Sequence, residues 1–255
     1  MLNGSEFCCR FSLFQGFFIN IIPEHGKKNR FLSLYATIFA MKEAYFQASN
    51  IDSLSERWLE TYGDPTRDDR QTLEMGSAAL LVLDMQNYFL KEGSHAFIPS
   101  ALQIIPRLNR VINEFRAEER PLLATRHVNT PEDAGMMASW WSELITVDHP
   151  LGQIHSELDI HEEEIVLKTQ YDAFYKSDLE NRLVKLGVRQ LVIGGVMAHL
   201  CCETTARSAF VRGFEVFYLI DGTATYSADL HVSSLRTLAH GFAVLTTTGR
   251  LAGKR

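Results

Sequence analysis

The sequence predicts a three-layer α/β/α domain around a mainly parallel sheet, with a helical N-terminal arm ahead of it. Three observations predict this. Six short apolar runs recur after residue 78, helical patterns separate most of them, and several runs end on a polar cluster. A continuous apolar run marks a strand buried on both faces. Strands that alternate with helices imply a parallel sheet covered on both sides.

Residues 1–40 are rich in phenylalanine and have no regular period. They read as an extension, poorly structured or spurious, and Met41 reads as the start of the functional protein. A targeting segment is the alternative. Against it, Ser12, Gln15 and Asn20 interrupt the apolar stretch, and Glu6 offsets the lone Arg10 ahead of it. Residues 41–75 are polar and helix-favouring. Asn50 or Asp52 is placed to cap a helix with Leu54, Trp58 and Leu59 on one face. This reads as an arm packed on the domain of residues 76–255, its aromatic residues serving packing.

The strands are expected at Ala79–Leu83, Pro121–Ala124, Ile165–Leu167, Gln190–Ile193, Glu215–Leu219 and Phe242–Thr246. Leu102, Ile105, Leu108, Val111, Ile112 and Phe115 recur at helical spacing. A second helix runs from Ser177 to Leu186, with Ser177 and Glu180 as a capping box and Gly187 as the stop. Helices Cys201–Arg212 and Ser227–His240 follow. Two long connections, Phe89–Ser100 and His127–Glu164, are where a site is expected.

Composition excludes several classes. The 255 residues are 46% hydrophobic and 22% charged, with a net charge of −6. A mildly acidic chain repels phosphate backbones, so no nucleic acid is expected. No stretch approaches the ~18 uncharged apolar residues of a membrane span. The four cysteines are two adjacent pairs, Cys8–Cys9 and Cys201–Cys202. Neighbouring cysteines bridge poorly, so a reducing, cytoplasmic setting is expected.

In a parallel α/β sheet, ligands bind beyond the carboxyl ends of the strands. Asp84 follows the first run, Lys168 the third, and Cys201 the turn after the fourth. A carboxylate, an ammonium and a thiol thus converge on one rim. Lys168 and a helix start favour a Cys201 thiolate, which iodoacetamide would label fast near neutral pH. Asp84 suits a proton acceptor that later activates water. Backbone N–H groups at Met197 to Cys201 suit an oxyanion hole. The expected reaction is attack on an amide-like carbonyl, a thioester, then hydrolysis.

The segments LLVLDMQNYF, VLKTQYDAFYKSDLENRLVKLGVRQLVIGGVMAHLCCETTARSAF and FYLIDGTATYSADLH resemble the Asp, Lys and Cys blocks of the isochorismatase-like cysteine hydrolase superfamily. The resemblance implies a six-stranded parallel sheet and a cis peptide near Val196–Met197. It also implies Asp84 as base, Lys168 as charge partner and Cys201 as nucleophile. It further implies a homo-oligomer. Isochorismatases of this superfamily typically read GVYAH, with a small residue where this chain has Cys201. They carry Trp and Arg where this chain has Thr169 and Gln170. His199 and Ala198 resemble that branch. Nicotinamidases hold a metal with a DxH spacing that is absent after Asp84. His95 stands alone in EGSHAF, so neither metal nor cofactor is expected. Arg126, with His127 beside it, is a candidate for an anionic substrate group. Trp140, Trp141, Tyr171, Phe174 and His199 are candidates for the pocket wall. Asp221, Thr223 and Thr225 read as rim structure. The expected activity is hydrolysis of a small carboxamide or ureido compound. The alternatives are vinyl-ether hydrolysis and a catalytically silent binding protein.

Overall fold

A computed structural model of the chain describes residues 42–64, 66, 72–141 and 143–252. The expectation for residues 1–40 lies outside them. Met41–Arg255 forms one compact unit. Among the described residues, no helix is long and apolar enough to cross a membrane.

The six strands are β1 (Ala78–Leu83), β2 (Leu122–His127), β3 (Ile165–Lys168), β4 (Gln190–Val196), β5 (Glu215–Ala224) and β6 (Val244–Thr246). They lie in the order β3-β2-β1-β4-β5-β6, and every neighbouring pair is parallel. β1 and β4 are buried along their whole length, which is why their sequences do not alternate. β3 lies at one edge, and its Leu167 is exposed. The strand order reverses between β1 and β4. In such sheets the chain segments part there and leave a crevice above the strand ends.

Eight helices are described: α1 (Ile51–Tyr62), α2 (Asn87–Leu90), α3 (Ile105–Ala117), α4 (Met137–Trp140), α5 (Leu179–Lys185), α6 (Glu203–Val211), α7 (Ala228–Gly241) and α8 (Thr248–Ala252). α3 buries Ile105, Leu108, Val111, Ile112 and Phe115, the stripe expected from its spacing. α1 packs on β5, β6 and α7. It buries Ile51, Trp58 and Leu59, each such side chain contributing about 2 kcal/mol. The arm is therefore part of the same core.

Two caps differ from expectation. α5 begins at Leu179, because the Ser177 hydroxyl donates to the Ala173 carbonyl and only loosely accepts from the Leu179 N–H, at 3.3 Å. Asn50 occupies the position before α1, but its side chain closes the preceding turn through Gln47 N and Tyr45 O. Gly187 does end α5, at φ +67°, a region that favours glycine.

Gly195 fixes the crevice. Its φ is +110°, and a Cβ there would stand 2.1 Å from the Leu83 carbonyl oxygen. Only glycine lets β4 approach β1 this closely, beside a register irregularity between Ile193 and Gly195. The next peptide, Val196–Met197, is cis.

Candidate active site

Asp84 is the first residue after β1 and has φ +51°. Its N–H donates to the Thr125 carbonyl at 3.2 Å, and the Thr125 hydroxyl donates to its Oδ1 at 2.7 Å. Lys168 ends β3 two strands away. Its Nζ stands 2.8 Å from Asp84 Oδ2, a close ion pair rather than a well-aligned hydrogen bond, since Oδ2 accepts none. Both side chains are fully buried. The ammonium also donates to the Gln170 carbonyl at 2.8 Å and to Cys201 Sγ at 3.4 Å. Strands β1, β3 and β4 thus bring carboxylate, ammonium and thiol together.

A fourth group completes the ammonium's shell. His127, the last residue of β2, faces Lys168 Nζ with Nδ1 at 3.3 Å. An ammonium can only donate, so this nitrogen accepts. Nε2 then carries the proton and donates to Asn129 Oδ1 at 2.6 Å. Burial and the neighbouring Lys168 push the His127 pKa down to about 4, which keeps the ring neutral. Lys168 is shifted the other way. Burial opposes its charge, but Asp84 and Cys201 together raise it above the ordinary range.

Cys201 sits in a π-helical turn, Ala198–Cys202, that runs into α6. The turn is pinned from several sides. The Met197 carbonyl accepts from Leu200 N and Cys202 N. The Ala198 carbonyl accepts from the Tyr218 and Ser234 hydroxyls, at 2.9 and 3.1 Å. His199 Nδ1 pairs with the Thr225 hydroxyl at 2.6 Å. Burial raises the Cys201 pKa to about 12, against the pull of Lys168. This corrects the expectation of a resident thiolate: desolvation outweighs the ammonium and the helix start, so the resting group is a thiol. Cys202 is fully buried, and burial raises its pKa well above the ordinary thiol range.

The thiol opens onto a cavity of about 580 Å³, counted out to its open mouth. Its walls include Tyr88, Phe89, His95, Trp141, Tyr171 and Tyr226, with Met197 and Cys201 at one side. Trp141 Nε1 donates to the Tyr171 hydroxyl at 2.8 Å, which fixes both rings. Small sites of this size are commonly apolar, with few polar groups.

A family model, described as the isochorismatase domain, matches residues 78–250. The chain belongs to the isochorismatase family. Members of this family are hydrolases. The chain is 39% identical over 183 residues to nicotinamidase 3 of Arabidopsis thaliana, a match that covers 68% of this chain and 86% of that protein. It is 31% identical over 183 residues to enterobactin synthase component B of Escherichia coli, with 71% of this chain and only 64% of that protein covered. Among solved structures, a cysteine hydrolase from Pseudomonas syringae superposes with a TM-score of 0.69 at 25% identity, covering 72% of this chain and 94% of that one.

Within this isochorismatase-family site, the other sequence candidates divide. Trp141 and Tyr171 line the cavity. Arg126 does not: its guanidinium donates to the Gly152 and Val147 carbonyls and holds down the long connection. Trp140 is 74% exposed, away from the cavity. Phe174 is buried against Phe214 and beneath the Arg212 guanidinium. His199 supports the nucleophile turn from behind. Thr225 does hold that turn, whereas Asp221 accepts from Thr248 N and Oγ1 and caps α8. His95, read as a loop residue, lines the cavity. Sequence reasoning missed Thr125, Gln86 and Asn129. Gln86 bridges His127 N, His127 O and Gly152 O. Among the described residues, no three His, Cys, Asp or Glu side chains are grouped to hold a metal ion.

Proposed function

We propose that this protein hydrolyses a small, uncharged carboxamide or ureido compound, with Cys201 as nucleophile, Asp84 as proton acceptor and Lys168 as their shared counter-charge. The observation that carries the proposal is the placement of Lys168 Nζ, 2.8 Å from Asp84 and 3.4 Å from Cys201 Sγ at the wall of an aromatic cavity.

The chemistry follows from the groups present. The Cys201 proton passes to Asp84 as sulfur attacks the carbonyl carbon. Lys168 stays charged and stabilises whichever partner holds the negative charge. Backbone N–H groups at Met197 and Cys201 are the proposed donors to the developing oxyanion. The C–N bond breaks, and the Asp84 proton leaves with ammonia. Water then attacks the thioester and gives its proton to Asp84. The carboxylic acid departs, and the proton returns to sulfur.

The cavity's composition narrows the substrate. Among the described residues that line it, Glu143 is the only carboxylate, and none is a lysine or arginine. Arg126 is turned to the carbonyls of the long connection, and the Lys168 charge is already matched by Asp84, so neither favours a carboxylate-bearing substrate. The similarity to a nicotinamidase makes nicotinamide the first compound to test. Vinyl-ether hydrolysis is the second reading, favoured by the GVMAH segment before Cys201.

A screen of aromatic carboxamides and ureides for ammonia release tests the proposal. Cys201→Ala should lower turnover by at least about a thousandfold. A Cys201→Ala protein that retains most of its activity would overturn the thioester route and favour the vinyl-ether reading.

A further inference from the structure

The family match begins at residue 78, yet the cavity wall and the nucleophile turn are both tied to residues before it. We propose that Lys42 and Tyr45, in the N-terminal arm, are positioning residues of the active site. Lys42 holds two lining residues of the cavity, His95 and Tyr226, and Tyr45 holds the turn that carries Cys201. The inference rests on the cavity being the substrate site.

Two lining residues of the cavity come from different parts of the chain. His95 lies in the connection after α2, and Tyr226 follows β5. The arm ties them together. Lys42 Nζ donates to the His95 carbonyl at 2.7 Å and lies 4.8 Å from the centre of the Tyr226 ring. A hydrogen bond to charge and a cation–π contact are each worth more than their neutral counterparts. Glu43 N donates to the Tyr226 carbonyl at 2.7 Å, and Glu43 Oε2 accepts from Ala228 N at 3.2 Å. Ser100, which closes the His95 connection, donates to the Glu43 carbonyl and accepts from Phe46 N.

Tyr45 reaches the nucleophile turn through two hydrogen bonds. Its hydroxyl accepts from Thr225 N at 2.9 Å, and the Thr225 hydroxyl pairs with His199 Nδ1 at 2.6 Å. His199 is two residues before Cys201. The same Tyr45 hydroxyl donates to His231 Nδ1 at 3.0 Å, and His231 Nε2 donates to the Thr223 hydroxyl at 3.0 Å. The tautomer is consistent, because Thr223 already donates to the Leu219 carbonyl. The path is fully hydrogen-bonded, and such buried networks hold one arrangement.

Conservative variants separate this role from packing. Lys42→Met keeps the aliphatic stem, and Tyr45→Phe keeps the ring among Phe46, Trp58 and His231. Lys42→Met should raise KM about tenfold with kcat within about twofold, and Tyr45→Phe should lower kcat about tenfold with KM little changed. Glu56→Gln breaks the α1 pair with Arg250 and should alter neither constant. A second readout needs no turnover: alkylation of Cys201, followed by peptide mapping, should change at least about threefold in Tyr45→Phe. Thr225→Ala cuts the same path one bond later and keeps the test decisive if Tyr45→Phe fails to fold. Variants that lower Tm yet keep the parent's kcat, KM and alkylation rate would reduce the arm to packing and overturn the proposal. If no amide is turned over, the alkylation rates still decide the arm's role, independently of the proposed activity.

Discussion

Cys201 and Asp84 share a buried site with one fixed positive charge, Lys168. Moving the Cys201 proton to Asp84 leaves the net charge of the site unchanged. Removing it to solvent adds a buried negative charge, which is why the thiol is pushed up to about 12. Transfer of the Cys201 proton within the site is therefore favoured over its loss to solvent. Alkylation of Cys201 by iodoacetamide should be slow and vary less than about threefold between pH 6 and 8.5, where a solvated thiol below its pKa gains about tenfold per unit. A tenfold rise per unit, mapped to Cys201, would mean that the thiol ionises alone. The identities of the three groups were legible from the polar residues that follow apolar runs. Their electrostatics were not, because the cost of burial depends on neighbours brought in by β2. Thr125, Asn129 and Gln86 carry no motif. Each matters only because a neighbouring strand presents a partner to it. Arg126 was misread for the converse reason: its partners are carbonyls of a loop whose path is not written in its residue types.

At the scale of elements, the turn between β4 and α6 depends on a backbone that passes unusually close to β1. Gly195 is the pivotal residue, since its φ is +110° and its missing Cβ leaves room for the Leu83 carbonyl. Gly195→Ala should destabilise the fold by at least about 2 kcal/mol, through strain and a main-chain clash. Urea denaturation would read this as a lower midpoint at unchanged slope. A stability equal to the parent's would show that β1 and β4 can part freely, and the close register would lose its role. The strands were the most legible elements, because burial on both faces leaves continuous apolar runs. β5 proved longer than its apolar run, continuing through Asp221, Gly222 and Thr223. Those polar residues are buried in the sheet with internal partners, and periodicity alone does not announce that. The Ser177 cap failed because a hydroxyl has several carbonyls within reach, and the sequence does not rank them.

At the scale of the whole molecule, two buried histidines tie stability to pH. His127 is lowered to about 4 and His231 to about 3, both chiefly by burial. Their unfolded counterparts titrate near ~6.5. Above that value neither state binds the proton, and the histidines contribute no pH dependence. As the pH falls through ~6.5 toward ~4, the unfolded chain takes up protons that the fold refuses, so stability falls. The slope approaches roughly 1.4 kcal/mol per pH unit for each histidine. Urea midpoints measured from pH 7 to 5 should fall steadily, ahead of the range where most carboxylates titrate. A flat profile would mean that one or both rings are charged in the folded state, which would undo the neutral His127 beneath Lys168. The measurement that bears most directly on the central claim is intact-mass analysis of enzyme quenched in acid during turnover of its best carboxamide. The account predicts a mass increase equal to the substrate's acyl group, mapped to the Cys201 peptide and removed by hydroxylamine. Steady turnover in a protein that never carries that adduct, and that persists in Cys201→Ala, would contradict it.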